Sequence, residues 1–221
     1  MSIPTIVHPD SLTHLSLRNE PVQARSAARL AGLLDAAAAV IDEHGFERLT
    51  TAMVAERACA SIGTVYRYFP DRIALLQALA ERNLERTIQR VTAEIASEEH
   101  ADWVTALRSA FAIFVEAFRN EPSFRSLRVG DVIDIRPREA DRTRNSIVAE
   151  MILDALVARF GLAVNDRTRF VFECAIEVSD SLAARAFTLD PRGEDAFLEM
   201  SREIVYSMLV GHFGEPRKSS I

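Results

Sequence analysis

Between Leu49 and Arg72 the chain reads LTTAMVAERACASIGTVYRYFPDR, and this stretch admits few folds. It holds two short helical patterns, divided by a tight turn and closed by Pro70 and Asp71. In the first, Thr50 or Thr51 supplies an N-cap hydroxyl, and Met53, Val54 and Ala58 give an inward face at helical spacing. Cys59 and Ala60 make the turn. Ser61 caps the second helix, whose opening Ile62-Gly63-Thr64 offers small or short side chains and backbone N–H groups with no partner inside the helix. Such a front end can approach another surface closely. Val65 and Phe69, four apart, point inward, while Thr64, Tyr66 and Tyr68 carry hydroxyls in other directions. Pro70 stops this helix and Asp71 caps the next. Arg72 then stands in a first helical turn, where a cation is unfavourable unless an anion such as phosphate faces it.

Residues 22–72 resemble the DNA-binding domain of the tetracycline-repressor (TetR) family of bacterial regulators. The likeness is carried by Asp42-Glu43-His44-Gly45-Phe46 at the end of a long first helix, then Thr50-Thr51, Ala55, Ser61 through Phe69, Arg72 and Leu75. It implies base-edge readout from Ile62, Gly63, Thr64 and Tyr66 at the helix front opened by Ser61, with Thr51, Tyr68 and Arg72 on the phosphate backbone. Ala52 sits where a longer reader occurs in the family, so base contact from the preceding helix is unsupported. Cys59 departs from the glycine usual in that turn; a Cβ at positive φ is expected to relax the turn or store about 1 kcal/mol of strain. The competing reading, a generic helical hairpin with Tyr66, Tyr68 and Phe69 in its core, explains neither the small, hydroxyl-bearing helix front nor Arg72.

Composition sets the wider limits. With 221 residues, 48% hydrophobic, and only 8 Gly and 8 Pro, the chain is expected to be all-α and well packed. No apolar run approaches the roughly twenty residues of a membrane span, and no basic-then-apolar leader opens the chain, so a cytoplasmic protein with no membrane partner is expected. Cys59 and Cys174 have no metal-ligand spacing around them. The five His are scattered, and there is no nucleophile-base pairing and no Gly-rich phosphate loop, so neither enzyme, cofactor nor metal site is expected. A net charge of −6 opposes DNA binding by the chain as a whole, yet residues 18–90 hold ten Arg against nine acids, so the excess acid lies in residues 91–221. A neutral head binds DNA when Arg25, Arg29, Arg67 and Arg72 cluster toward one side and a dimer doubles the contacts.

Periodicity organises the rest. Residues 1–21, with Pro4, Pro9 and Pro21, read as a mobile arm in which Arg18 is a minor-groove candidate. Residues 22–72 form the reading domain, its first helix marked by Leu30, Leu33, Leu34, Ala37 and Ile41 and stopped by Gly45. Residues 73–221 form the body. Ile73, Leu76, Leu79, Leu84, Ile88, Val91 and Ile95 continue as one long helix joining head to body. Asp102 caps a helix whose stripe of Trp103, Leu107, Phe111, Phe114 and Phe118 is either core or the wall of a ligand pocket. A broken stretch with Pro122, Gly130, Val132 and Ile133 follows, and Pro137 opens the next helix. There Val148, Met151 and Ile152 face inward, and Arg144 and Asn145 are candidates to hydrogen-bond an effector. Helices over Asn165–Leu189 and Glu194–Phe213 complete the fold, Phe172 and Ile176 adding to the pocket wall. Their apolar faces are too wide for one neighbour, which fits a four-helix bundle across a two-fold axis, as the family resemblance also implies.

The combined expectation is a homodimeric regulator binding a double-stranded, pseudo-palindromic operator and released by a small apolar or aromatic effector that alters head spacing. An activator or ligand-independent regulator of the same fold remains open, as does a helical ligand-binding or scaffold protein without DNA binding.

Overall fold

The computed structural model describes residues 24–129 and 143–215. The expected arm with Arg18, the Arg25 side chain, and Gly130, Val132, Ile133 and Pro137 lie outside them. The described residues form nine α-helices and one 3-10 turn, and they divide into two compact units that meet between Glu85 and Arg86.

The first unit contains α1 (Ala24–His44), the 3-10 turn Phe46–Arg48, α2 (Thr51–Arg57), α3 (Ile62–Tyr68) and the start of α4 (Arg72–Ala96). Gly45, at φ 81°, turns the chain out of α1; a side chain would be strained there. The core is made by Leu33, Ala37, Val40 and Ile41 of α1, Val54 of α2, Val65 and Phe69 around α3, and Leu75, Leu76 and Leu79 of α4, all buried. Each large side chain so buried contributes about 1.5–3 kcal/mol to the head. Two ion pairs tie the helices: Arg57 of α2 holds Glu43 of α1 through both guanidinium nitrogens, and Arg82 of α4 reaches Asp35 of α1 at 2.7 Å. The Arg82 bond joins the first part of α4 to α1. Of the expected repeat, Leu76 and Leu79 are buried but Ile73 is 57% exposed, and Ala74 and Leu75 turn inward beside them.

The second unit contains the end of α4 and α5 (Trp103–Asn120), α6 (Pro122–Val129), α7 (Arg144–Phe160), α8 (Asp166–Ala186) and α9 (Asp195–Phe213). Capping boxes open α5 at Asp102, α7 at Thr143 and α8 at Asn165. Thr143 corrects the expected start at Pro137: its hydroxyl accepts from the Ser146 amide at 3.0 Å while Ser146 Oγ accepts from the Thr143 amide at 3.1 Å. Helix α8 packs against both α7 and α9. Leu198, Ser201 and Leu209 turn inward from α9, whereas Met200 is 49% exposed. One aromatic cluster anchors this unit: Phe118 stacks on Phe187 at 4.8 Å and meets Phe124 edge-on at 5.1 Å. No helix among the described residues is long and apolar enough to cross a membrane.

Candidate DNA-reading face and effector wall

Helix α2 opens on Thr50, whose hydroxyl accepts from the Met53 amide at 3.2 Å, which leaves Thr51 free for another partner. The Thr51 hydroxyl donates to the phenolic oxygen of Tyr66 on α3 at 3.3 Å. At the front of α3, Ser61 Oγ accepts from the Thr64 amide at 3.1 Å and lies 2.9 Å from Thr64 Oγ1. Ile62 is 47% and Tyr66 41% exposed, large apolar or aromatic groups left in solvent beside an open Gly63. A Cβ on Gly63 would meet only Ser61 Oγ, at 3.8 Å, so the glycine keeps the surface flat rather than avoiding a clash. Thr51, Ser61, Ile62, Gly63, Thr64 and Tyr66 are thus gathered on adjoining turns of α2 and α3.

Cys59 adopts φ 46°, the left-handed turn foreseen for a position where glycine is usual. The turn is held by Ala60 N donating to Ala55 O at 2.8 Å and Cys59 N to Glu56 O at 3.1 Å.

Tyr68 and Arg72, expected on the phosphate backbone, have partners inside the head. Tyr68 is 6% exposed and its hydroxyl lies 3.1 Å from Ser26 Oγ of α1, so it fastens α3 to α1. Arg72 donates from Nε to Leu49 O at 2.8 Å and from one terminal nitrogen to Phe46 O at 2.5 Å and Glu47 O at 3.3 Å. Its place in a first turn is offset in part by the partial negative charge of these carbonyls, at and just after the 3-10 turn. Sequence periodicity did not register that turn, because three residues are too few to show one.

In the second unit the aromatic stripe of α5 divides. Phe118 is wholly buried, Phe111 and Phe114 are half-buried against its cluster, Leu107 is half-buried one turn before Phe111, and Trp103 stands at the far end beside Phe213. Val148, Ile152 and Phe172 are buried between α7 and α8, while Met151 and Ile176 are half-buried. Asn145 donates to Glu177 at 2.9 Å and Asp180 at 3.4 Å; Arg144 also has a partner. Asp180 accepts from Arg128 of α6, whose guanidinium lies 5.9 Å from the Phe114 ring and 5.7 Å from Phe124. Arg128 and Asp180 therefore connect Phe114 to Asn145. Asp180 was legible only as part of the acidic side of α8, and Arg128, in a broken stretch, carries no periodic signal.

Comparison with known proteins decides the family. Residues 33–79 match the model of the bacterial regulatory proteins of the tetR family, and residues 101–213 match the tetracyclin repressor-like C-terminal domain. The chain belongs to the TetR family. It is 33% identical to a TetR-family transcriptional regulator from Streptomyces coelicolor of known structure, with a TM-score of 0.68 over 84% of this chain and 98% of that one. The nucleoid occlusion factor SlmA of Haemophilus influenzae is 25% identical over 150 residues, covering 68% of this chain and 60% of that protein. The transcriptional repressor KstR of Mycolicibacterium smegmatis is 43% identical over 54 residues, 24% of this chain and 26% of that protein. The TetR assignment thus spans both units, although the match covers only about 60% of the length of SlmA.

Proposed function

We propose that the protein is a homodimeric transcriptional repressor that reads a pseudo-palindromic operator with α3 and is released by a small apolar or aromatic effector. The observation that carries the reading is the exposed front of α3, where Ile62 and Tyr66 stand in solvent on either side of a flat Gly63. A folded head gains nothing from those exposures alone; an apolar contact to a thymine methyl and a hydroxyl donor to a base or phosphate acceptor account for both. Thr51, Ser61 and Thr64 complete the polar rim, and Tyr68 and Arg72 support it from behind. Family membership and the likeness of the head to a named repressor favour repression over activation.

The effector wall is assigned to the half-buried Phe111, Phe114, Met151 and Ile176, with the Arg128–Asp180–Asn145 network reaching it at Phe114. Helices α8 and α9 provide the dimer surface, with Phe170 56% and Met200 49% exposed. Helix α4 is the continuous covalent link between the units, so an effector that favours one body conformer shifts the head equilibrium by its differential affinity.

The test is a gel-shift titration against the intergenic DNA beside the gene. Specific retardation that survives competitor DNA and is lost with Tyr66→Ala is the expected result. Failure to shift any upstream duplex, with the protein folded and dimeric, would leave a helical binding protein without a reading function.

A further inference from the structure

Helix α3 carries a single cation, Arg67, in its last turn. At about 100° per residue, Ile62, Tyr66, Gly63 and Arg67 follow one another around the helix within an arc of about 140°. All four are exposed, while Val65, Tyr68 and Phe69 on the opposite side are buried. Arg67 therefore shares the solvent face of α3 with Ile62 and Tyr66, and Gly63 lies between it and Tyr66.

The other arginines of the head are committed or stand elsewhere. Arg57 is paired with Glu43, Arg82 with Asp35, and Arg72 with the carbonyls of Phe46, Glu47 and Leu49. Arg29 and Arg48 are exposed, but on α1 and the 3-10 turn. Arg67 has no acceptor among the described residues, so its guanidinium donors are unspent.

The backbone sets where this side chain can go. Cα–Cβ bonds in a helix tilt toward its N-terminus, and long side chains lean back over the residue four before them. For Arg67 that residue is Gly63, about 6 Å nearer the front of α3. The space over Gly63 is open, since an added Cβ would meet only Ser61 Oγ, at 3.8 Å. The glycine thus leaves a shelf along which the guanidinium reaches forward to the helix front, instead of outward along the flank where phosphates would stand. In a major groove the planar fork of Arg matches the O6 and N7 acceptors of guanine, a pair that no other base presents there.

We propose that Arg67 specifies one guanine in each half-site, donating to its O6 and N7 across the shelf left by Gly63. The inference rests on α3 reading DNA, as proposed above, and names a base that the reading face selects.

The test is selection of binding sites by the full chain from duplexes randomised over about twenty base pairs, room for two half-sites. The parent should enrich a two-fold symmetric motif with guanine fixed at one position in each half. In Arg67→Ala the preference at that position should fall by about tenfold to a hundredfold, with the rest of the motif retained. Thermal stability should match the parent, because Arg67 holds no other part of the head. A parent motif without a fixed guanine, or the same guanine preference in Arg67→Ala, overturns the assignment. So does an affinity loss equal for every duplex, which marks a phosphate contact. If the folded, dimeric parent enriches no sequence at all, the reading proposed for α3 fails and this assignment with it.

Discussion

The Thr51 hydroxyl donates to the phenolic oxygen of Tyr66 at 3.3 Å, linking the start of α2 to the exposed side of α3. An acceptor so engaged directs its own proton away from Thr51, toward solvent and toward any acceptor that approaches the head. Tyr66→Ala is therefore expected to weaken operator binding by about 1–3 kcal/mol, with Tyr66→Phe and Thr51→Val smaller losses in the same direction. Fluorescence anisotropy against the operator measures all three. Unchanged affinity in Tyr66→Ala removes the tyrosine from the reading face.

Arg72 and Tyr68 should report in stability instead. Truncating Arg72 takes a charged donor from the carbonyls of Phe46, Glu47 and Leu49, of which Phe46 keeps the Leu49 amide, and Arg72→Ala is expected to destabilise the head by about 1–3 kcal/mol. Tyr68→Phe removes one bond to Ser26, at a cost of about 0.5–1.5 kcal/mol. Denaturant unfolding checks both. At a temperature where each variant is folded, operator affinity should stay within a factor of about two; a selective loss of affinity would return these residues to the phosphate contacts.

The division between what the sequence disclosed and what it concealed follows from range. Caps are local, so Ser61, Asp102 and Asn165 were readable as caps from a hydroxyl, carboxylate or carboxamide ahead of an apolar repeat, and each accepts the expected amide. The αL turn at Cys59 was expected from the family resemblance, which implies a glycine there, and Cys59 stands at φ 46°. Ser26 and Tyr68, in contrast, are 42 residues apart and Arg128 and Asp180 are 52 apart; periodicity carries no information on such pairs. The aromatic stripe of α5 shows a related limit. A repeat places residues on one face, but the neighbours along an eighteen-residue helix differ, so Trp103 and Phe118 lie in different surroundings.

Glu43 gives the head an acid-sensitive element. Its hydrogen bonds to Arg57, followed by the Arg57 charge, hold its carboxyl below the ordinary value of 4.5. A depressed carboxylate pKa stabilises the fold above the unfolded value, and that contribution disappears as pH falls through the folded value. The thermal stability of Glu43→Gln should thus lie below the parent near neutral pH and converge with it as pH drops below about 4.5. A gap that stays constant to pH 3 would show that the pair is not what titrates, and both side chains are exposed enough for the effect to be small.

Gly193, at φ 82°, turns the chain from α8 into α9, and an added Cβ would come within 2.8 Å of the Phe187 ring. That ring is stacked on Phe118 and cannot yield without opening the aromatic cluster. Gly193→Ala is expected to cost about 2–4 kcal/mol from the left-handed backbone and the clash together. Calorimetry of the full chain checks it, and a loss below about 0.5 kcal/mol would mean that the turn re-forms in another conformation.

The two-helix surface of α8 and α9 makes the last prediction. Phe170 and Met200 are apolar side chains about half exposed on helices whose opposite faces are already filled by Phe172 and Leu198. Solvent tolerates single exposed apolar groups, but a charge placed in a closed symmetric interface meets its own copy across the axis and must also be desolvated. Met200→Glu combined with Phe170→Glu is therefore expected to shift the protein to a single subunit in sedimentation at micromolar concentration, with its helical signal intact. Since one head contacts only half of a palindromic operator, the same variant should lose most of its operator affinity while a direct test of head folding, such as hydrogen exchange over α1–α3, stays unchanged. A variant that remains dimeric places the two-fold interface elsewhere on the body.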